Sequence, residues 1–198
     1  MTAFHVKHFA AYAALLRRWQ GVMNLVAPST LADIEARHFA DSAQLAPLIP
    51  PGAVVADLGS GAGFPGMVLA LLRPDLTVHL IESDTKKAAF LKSVSRETLC
   101  AGAQVHACRV ESLYDAITPD VVTARALAPL PKLCVLTEPW VRQNPALIAL
   151  FMKGKTAREE IRQAETVWRF ALDFVPSATA TDGAILRLTR LTRASGCM

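Results

Sequence analysis

Several things are scarce or missing in this sequence, and each shortage narrows what the chain can be. Cysteine is sparse: Cys100, Cys108, Cys134 and Cys197 lack close pair spacing, which argues against a zinc site and against a disulfide framework. Reduced thiols in a cytoplasmic protein are the expectation. No apolar run approaches the roughly 18 residues of a membrane span. The N-terminus shows no charged region followed by an apolar block and a cleavage site, so neither a signal peptide nor a membrane partner is expected. Charged residues are only 19% of the chain, against 52% hydrophobic, which suits a soluble globular chain without a disordered tail. Charge of one sign is also lacking. The net is +4, made of +1 over residues 1–50, balance over 51–152 and +3 over 153–198. That mild excess is compatible with a polyanionic partner but does not require one. There is no internal repeat, and 198 residues suggest one domain with a substantial core.

What is present is one organising stretch, Val54-Val55-Ala56-Asp57-Leu58-Gly59-Ser60-Gly61-Ala62-Gly63-Phe64-Pro65-Gly66. A β-branched run ends in a carboxylate, passes through alternating glycines and opens into an apolar helix at Met67–Leu72. At such a strand-to-helix turn each glycine removes a Cβ where the chain must turn tightly or meet a ligand. Pro65 suits the first helical turn, having no amide hydrogen to satisfy. Gly61-x-Gly63-x-x-Gly66, with Glu82 at about the expected distance of roughly 20 residues, also satisfies the dinucleotide fingerprint. Asp57 points elsewhere. A carboxylate facing the glycine loop repels a pyrophosphate but attracts a cationic ligand such as S-adenosyl-L-methionine.

Before this stretch, Phe9, Tyr12, Leu16, Trp19 and Met23 recur at helical spacing and predict a helix over about Phe4 to Met23. Ser29 or Thr30 is then expected to cap a second helix running to about Ala46. Its Arg37, His38, Asp41 and Ser42 share a polar face, readable as a solvated surface with an Arg37–Asp41 ion pair. The turn cluster Pro47 to Gly52 separates this helical extension, residues 1–50, from a sheet-containing unit over 51–198.

After it, strands and helices alternate. Strands are expected at Thr77–Ile81, Gln104–Cys108, Val121–Ala124 and Ala146–Met152, with helices over about Asp84–Cys100 and from Pro129 through Trp140. Thr156-x-x-Glu159 reads as a capping box. Trp168–Phe174 and a strand opened by Asp182-Gly183 have no helix between them and form an antiparallel hairpin. The fold class is therefore α/β: a mostly parallel seven-stranded sheet, an antiparallel C-terminal hairpin and an N-terminal helical extension. A doubly wound dinucleotide domain does not usually finish with such a hairpin.

Ligands gather at the carboxyl ends of parallel strands. Asp57, Glu82, Glu111, Arg125 and Lys153 meet there in this reading. Glu82 can accept two ribose hydroxyls, or be an acidic helix start beside Ser83 and Asp84. Glu111 can address an adenine edge, or be a plain helix-start carboxylate. Arg125 ends a buried strand and is costly unless it meets an anion, a carbonyl or a ligand; the bland alternative is a pair with Asp115 or Asp120. Lys153 can hold a phosphate, or be an exposed lysine at a helix start.

These residues together resemble a known family, the bacterial small-subunit ribosomal RNA methyltransferase G, also called glucose-inhibited division protein B. The resemblance rests on Trp19 with Asn24-Leu25, on Arg37-His38-x-x-Asp41-Ser42, and on Asp57 through Gly66. It continues through Glu82-Ser83, Lys86-Lys87, Phe90-Leu91, Arg109-Val110-Glu111, Arg125-Ala126 and Lys153-Gly154. It spans about residues 12 to 155, departs at Val26 and Val68, and is weak past Gly154. It implies a Rossmann-like class I S-adenosylmethionine-dependent methyltransferase fold and methyl transfer to N7 of a guanine in 16S ribosomal RNA. The RNA would be met free or within the small ribosomal subunit, by a monomer. The implied cofactor-binding residues are Asp57, Gly59, Ser60, Gly61, Gly63, Phe64, Glu82, Val110, Glu111 and Arg125. Arg125 and Lys153 would position the guanine or RNA, and Arg37 and His38 become a functional rim. Other readings are methylation of another RNA base or substrate, a nicotinamide-dependent oxidoreductase, and an RNA-binding protein with a vestigial fold.

Overall fold

Apolar residues that alternate along short β-branched runs cover both faces of one sheet. The computed structural model describes residues 3–194. Its strands are β1 (Val54–Leu58), β2 (Thr77–Ile81), β3 (Ala103–His106), β4 (Val121–Arg125), β5 (Ile148–Lys153), β6 (Trp168–Pro176) and β7 (Ala184–Arg193), in the order β3-β2-β1-β4-β5-β7-β6. β1 to β5 pair in parallel, and β7 runs antiparallel to β5 and β6. Strand order reverses beside β1, between β2 and β4, which opens a crevice at their carboxyl ends.

Helices α1 (Ala3–Gln20), α2 (Asp41–Ala43), α3 (Gly66–Leu72) and α4 (Thr85–Glu97) precede β4 or flank it on one side. Tyr12, Leu16, Met67, Phe90 and Leu91 share a core with Val55, Val78, Val121 and Leu150. On the other face α5 (Leu130–Gln143) and α6 (Ala157–Glu165) bring Leu133, Trp140 and Ile161 to Ala56, Val122, Ala124 and Phe151. The alternation Val55/Ala56, Val121/Val122 and Leu150/Phe151 is the two-residue period of a sheet buried on both sides. Tyr12 and Leu16 are wholly buried, and burying an apolar side chain of that kind contributes about 1.5–3 kcal/mol. The extension is thus built into the core of the sheet.

Several local expectations need correction. The first helix stops at Gln20, not Met23, because the Gln20 side chain captures the following turn: its Oε1 accepts from Leu25 N and Val26 N at 2.9 and 3.0 Å. No single α-helix spans residues 29–46. A 3-10 segment (Pro28–Asp33), a π-helical turn (Glu35–Ala40), α2 and another 3-10 turn (Ala46–Leu48) follow one another. Ala27, not Ser29 or Thr30, is the N-cap. Pro65 is the N-cap of α3, not a residue of its first turn. The capping box at Thr156 is not formed, since Thr156 Oγ1 meets Glu160 Oε1 at 2.7 Å and Glu159 pairs with Arg162. Cys197 lies outside the described residues; Cys100, Cys108 and Cys134 are free.

Candidate active site

Strand parity sorts the candidate side chains. Asp57 is registered with Thr123, and alternate residues of β4 place Thr123 and Arg125 on one face, the side covered by α1 and residues 28–48. Arg125 is registered with Met152, so the next residue, Lys153, points to the opposite face. There Lys153 Nζ is 2.7 Å from Glu160 Oε2 and donates to Ala128 O at 2.6 Å. It is not the exposed lysine of the bland reading; only 8% of its side chain is accessible.

Beyond β1 the chain turns through Gly59, Gly61 and Gly63, with φ of 62°, 55° and 94°. The glycines serve different ends. A Cβ on Gly61 would meet nothing nearer than Gly59 O at 3.7 Å, so the turn is open there. A Cβ on Gly63 would lie 2.3 Å from the Tyr12 hydroxyl, and one on Gly66 2.6 Å from Asp57 Oδ2. Those two glycines let α1 and α3 approach; Tyr12 also donates to Ala62 O. Glu82 braces the turn by accepting from Gly61 N and Asp84 N, each at 2.8 Å, and each oxygen retains a lone pair.

Asp57 lies beneath this turn and has no exposed surface. Thr123 Oγ1 donates to its Oδ1 at 2.7 Å, while Oδ2 is buried without a hydrogen-bond partner. Burial pushes the carboxyl up to about 6, against the pull of the Thr123 bond. Its charge reaches the crevice from below and not as part of the lining.

Ser60, Gly61, Glu82, Lys87 and Arg125 line a cavity of about 330 Å³. It continues past Gly59, Ser83 and Leu127 into a hollow of about 280 Å³ bounded by Val110, Glu111 and Leu136. A third cavity, about 340 Å³, has Arg37, Asp41, Arg125, Gly154 and Asp182 on its walls. Arg125 belongs to both the first and the third.

The guanidinium of Arg125 is held on three sides. Nη1 donates to Asp41 Oδ2 at 3.2 Å, Nη2 to His38 Nδ1 at 3.0 Å, and the Phe64 ring centroid is 4.9 Å from Cζ. The expected Arg37–Asp41 pair, and the alternative partners Asp115 and Asp120, are not found among the described residues. Asp41 is instead shared between Arg125 and Thr179, whose hydroxyl donates to Oδ1 at 2.6 Å. Gln44 joins the same loop, accepting from Ala178 N at 2.6 Å. The extension and the hairpin loop thus close one wall of the third cavity. Of the Arg37/His38/Asp41/Ser42 face, His38 and Asp41 meet Arg125, Arg37 offers its carbonyl oxygen at 3.5 Å, and Ser42 is buried. Ala126, directly after, has φ 55°, a left-handed conformation costing about 1–2 kcal/mol off glycine.

The sequence pattern marks Tyr12 only as part of an apolar helix stripe and gives no sign that Gln44 or Thr179 builds the site. Their partners are up to 138 positions away, beyond any local pattern.

Comparison with known proteins agrees with this geometry. A family model described as rRNA small subunit methyltransferase G matches residues 5–185. The chain is 53% identical over 184 residues to the Ribosomal RNA small subunit methyltransferase G of Rhodospirillum centenum, covering 92% of this chain and 82% of that one. With the protein of the same name from Paracoccus denitrificans it shares 44% identity over 190 residues, 95% and 96% of the two chains. Among solved structures it is similar in fold to Aeropyrum pernix fibrillarin in complex with S-adenosyl-L-methionine, with TM-score 0.58, 15% identity, and 78% and 75% coverage. The sheet order and terminal hairpin are those of the Rossmann-like class I methyltransferase fold. With the motif, the strand order and nearly full-length similarity in agreement, the chain belongs to the rRNA small subunit methyltransferase G family.

Proposed function

We propose that this chain transfers a methyl group from S-adenosyl-L-methionine to N7 of one guanine in 16S ribosomal RNA, the small-subunit RNA. The observation that carries the reading is Arg125, fixed at the end of β4 on the boundary between the glycine-turn crevice and the third cavity. The crevice suits the cofactor. Gly61 leaves open space, Glu82 has acceptor capacity for ribose hydroxyls, and Val110 and Leu136 offer an apolar bed for adenine with Glu111 at its edge. Ser60, Gly59 and Phe64 complete the walls near the turn, Gly63 shapes it from behind, and Asp57 supplies a negative field that favours a sulfonium.

When bound, S-adenosyl-L-methionine supplies an electrophilic methyl carbon, and its sulfur leaves with the bonding pair. Guanine N7 brings a lone pair and no hydrogen, so no general base is required. β4 accordingly ends in an arginine, with no carboxylate or Asn-Pro pair to take a proton from an exocyclic amine. Catalysis then consists of in-line positioning and electrostatics. Arg125 orients the base through O6 or the RNA backbone; a donor on N7 would block the nucleophile, and the methylated purine is cationic. Arg37 extends the rim of the cavity toward RNA. Lys153, tied to Glu160, acts on RNA placement through the Ala128 and Gly154 loops. The substrate is the RNA, free or within the small subunit, and the enzyme works as a cytoplasmic monomer. Residues 1–50 supply the rim and residues 51–198 the methyl-transfer machinery. No helix among the described residues is long and apolar enough to cross a membrane.

Calorimetric titration tests the cofactor. S-adenosyl-L-methionine and its demethylated product should bind, with Glu82→Ala weakening them by about 1.5–3 kcal/mol. Tight NAD binding with no signal from either would overturn the reading.

A further inference from the structure

His38 is 8% exposed, and both of its ring nitrogens have partners. Nδ1 lies 3.0 Å from Arg125 Nη2. A guanidinium only donates, so Nδ1 must present its lone pair. The ring proton then sits on Nε2, which is 2.9 Å from Thr30 Oγ1. Thr30 spends its own hydrogen on Ala27 O at 2.8 Å, leaving its oxygen free to accept. Donors and acceptors match in one direction only: Arg125 to His38, His38 to Thr30, Thr30 to Ala27. The imidazole also stacks on Phe64, with centroids 4.9 Å apart and planes 16° apart, and the same ring lies against the guanidinium. Phe64 therefore sets the plane in which His38 meets Arg125.

From this geometry we propose that His38 is a positioning residue: a neutral imidazole, protonated on Nε2, whose Nδ1 fixes the guanidinium of Arg125 where the crevice meets the substrate cavity. The proposal rests on the guanine reading for what Arg125 then orients, but not for the His38–Arg125 arrangement itself. Asp41 alone would hold the arginine by charge and leave its plane free to rotate about that contact. The second, directional bond removes that freedom. An imidazolium could not serve, because it would carry a hydrogen on Nδ1 and repel Arg125. The charged groups around the ring are Arg125, Asp41, Arg37 and Asp33; burial, with Arg125, outweighs the two carboxylates and holds the imidazole down at about 4. It therefore stays an acceptor throughout the neutral range.

Two variants and one spectrum test this. His38→Phe keeps a ring on Phe64 and deletes the acceptor; His38→Asn loses the ring but can present an amide oxygen near the place of Nδ1. With 16S RNA as acceptor, His38→Phe should lower kcat/KM by roughly 10- to 100-fold, the scale of a misplaced positioning group. S-adenosyl-L-methionine affinity should not change, and His38→Asn should recover part of the loss. Wild-type kcat/KM in His38→Phe would overturn the proposal, as would equal losses in two variants that both stay folded. Nitrogen-15 spectra of the wild-type imidazole at about pH 6 read the arrangement without any substrate. A neutral ring protonated on Nε2 supports it; an imidazolium, or a proton on Nδ1, overturns it even if both variants unfold. If the wild type makes no 7-methylguanosine, the guanine reading fails, while the spectrum still decides the tautomer.

Discussion

At the scale of single residues, the site combines a buried carboxylate with a partly buried arginine on one sheet face. Asp57 binds its proton more tightly when folded than in the unfolded chain, because burial raises its pKa from 3.8 to about 6. Its contribution to stability is fully present below the ordinary carboxylate value and is lost as pH rises through about 6. A shift of that size corresponds to roughly 3 kcal/mol. Asp57→Asn does not titrate, so urea unfolding should show the variant gaining on the wild type between about pH 4 and pH 7. A constant gap would mean that the carboxyl is not held up by burial. Arg125 gives a functional counterpart. Arg125→Ala should cut turnover with RNA while adenosylmethionine affinity stays nearly constant, and Arg125→Lys should not restore it fully. An ammonium cannot copy a planar group held between Asp41, His38 and Phe64. Full activity in the lysine variant would reduce Arg125 to a point charge.

At the scale of elements, the glycine turn separates ligand access from packing. Gly63→Ala would put a Cβ at 2.3 Å from the Tyr12 hydroxyl, at φ 94°. The combined conformational strain and overpacking should cost about 2–5 kcal/mol, read as a lower denaturant midpoint. Gly61→Val has open space around its Cβ and meets only the backbone strain of a β-branched residue at φ 55°, so it should cost less stability than Gly63→Ala while weakening cofactor binding. Equal stability losses from both would contradict this division. The elements themselves were largely legible. The stripe Phe9, Tyr12, Leu16, Trp19 gave α1, the apolar alternation gave the strands, and Asp182-Gly183 before an apolar run marked the hairpin. Residues 28–48 were not, because tertiary partners shape them: His38 and Asp41 turn inward to Arg125, and Gln44 binds the hairpin loop. Lys153 lies on the wall of the third cavity with Arg125, while strand parity turns its side chain to the other sheet face, where Glu160 holds it; the strand-end position alone does not show that tie.

At the scale of the whole molecule, the small positive excess concentrates in residues 153–198, which contribute +3 of the net +4. Binding of RNA should weaken with salt, with a log–log slope of about −0.7 for each single-strand phosphate contact. An affinity indifferent to salt would leave the basic excess as ordinary solvated surface. That the glycine turn, Glu82 and Arg125 meet at one cavity was readable because the strands of a parallel sheet end along one edge. The closure of the cavity by the extension and the hairpin was not, since Asp41 and Thr179 meet only in the folded chain. The central claim is that this assembly presents a base nitrogen that needs no proton removed. Its most direct test is incubation of the protein with methyl-labelled S-adenosyl-L-methionine and 16S RNA, followed by digestion and mass spectrometry of the nucleosides. The expected product is 7-methylguanosine; label on adenine N6, on cytosine or on a ribose hydroxyl would contradict the account even though methyl transfer had occurred.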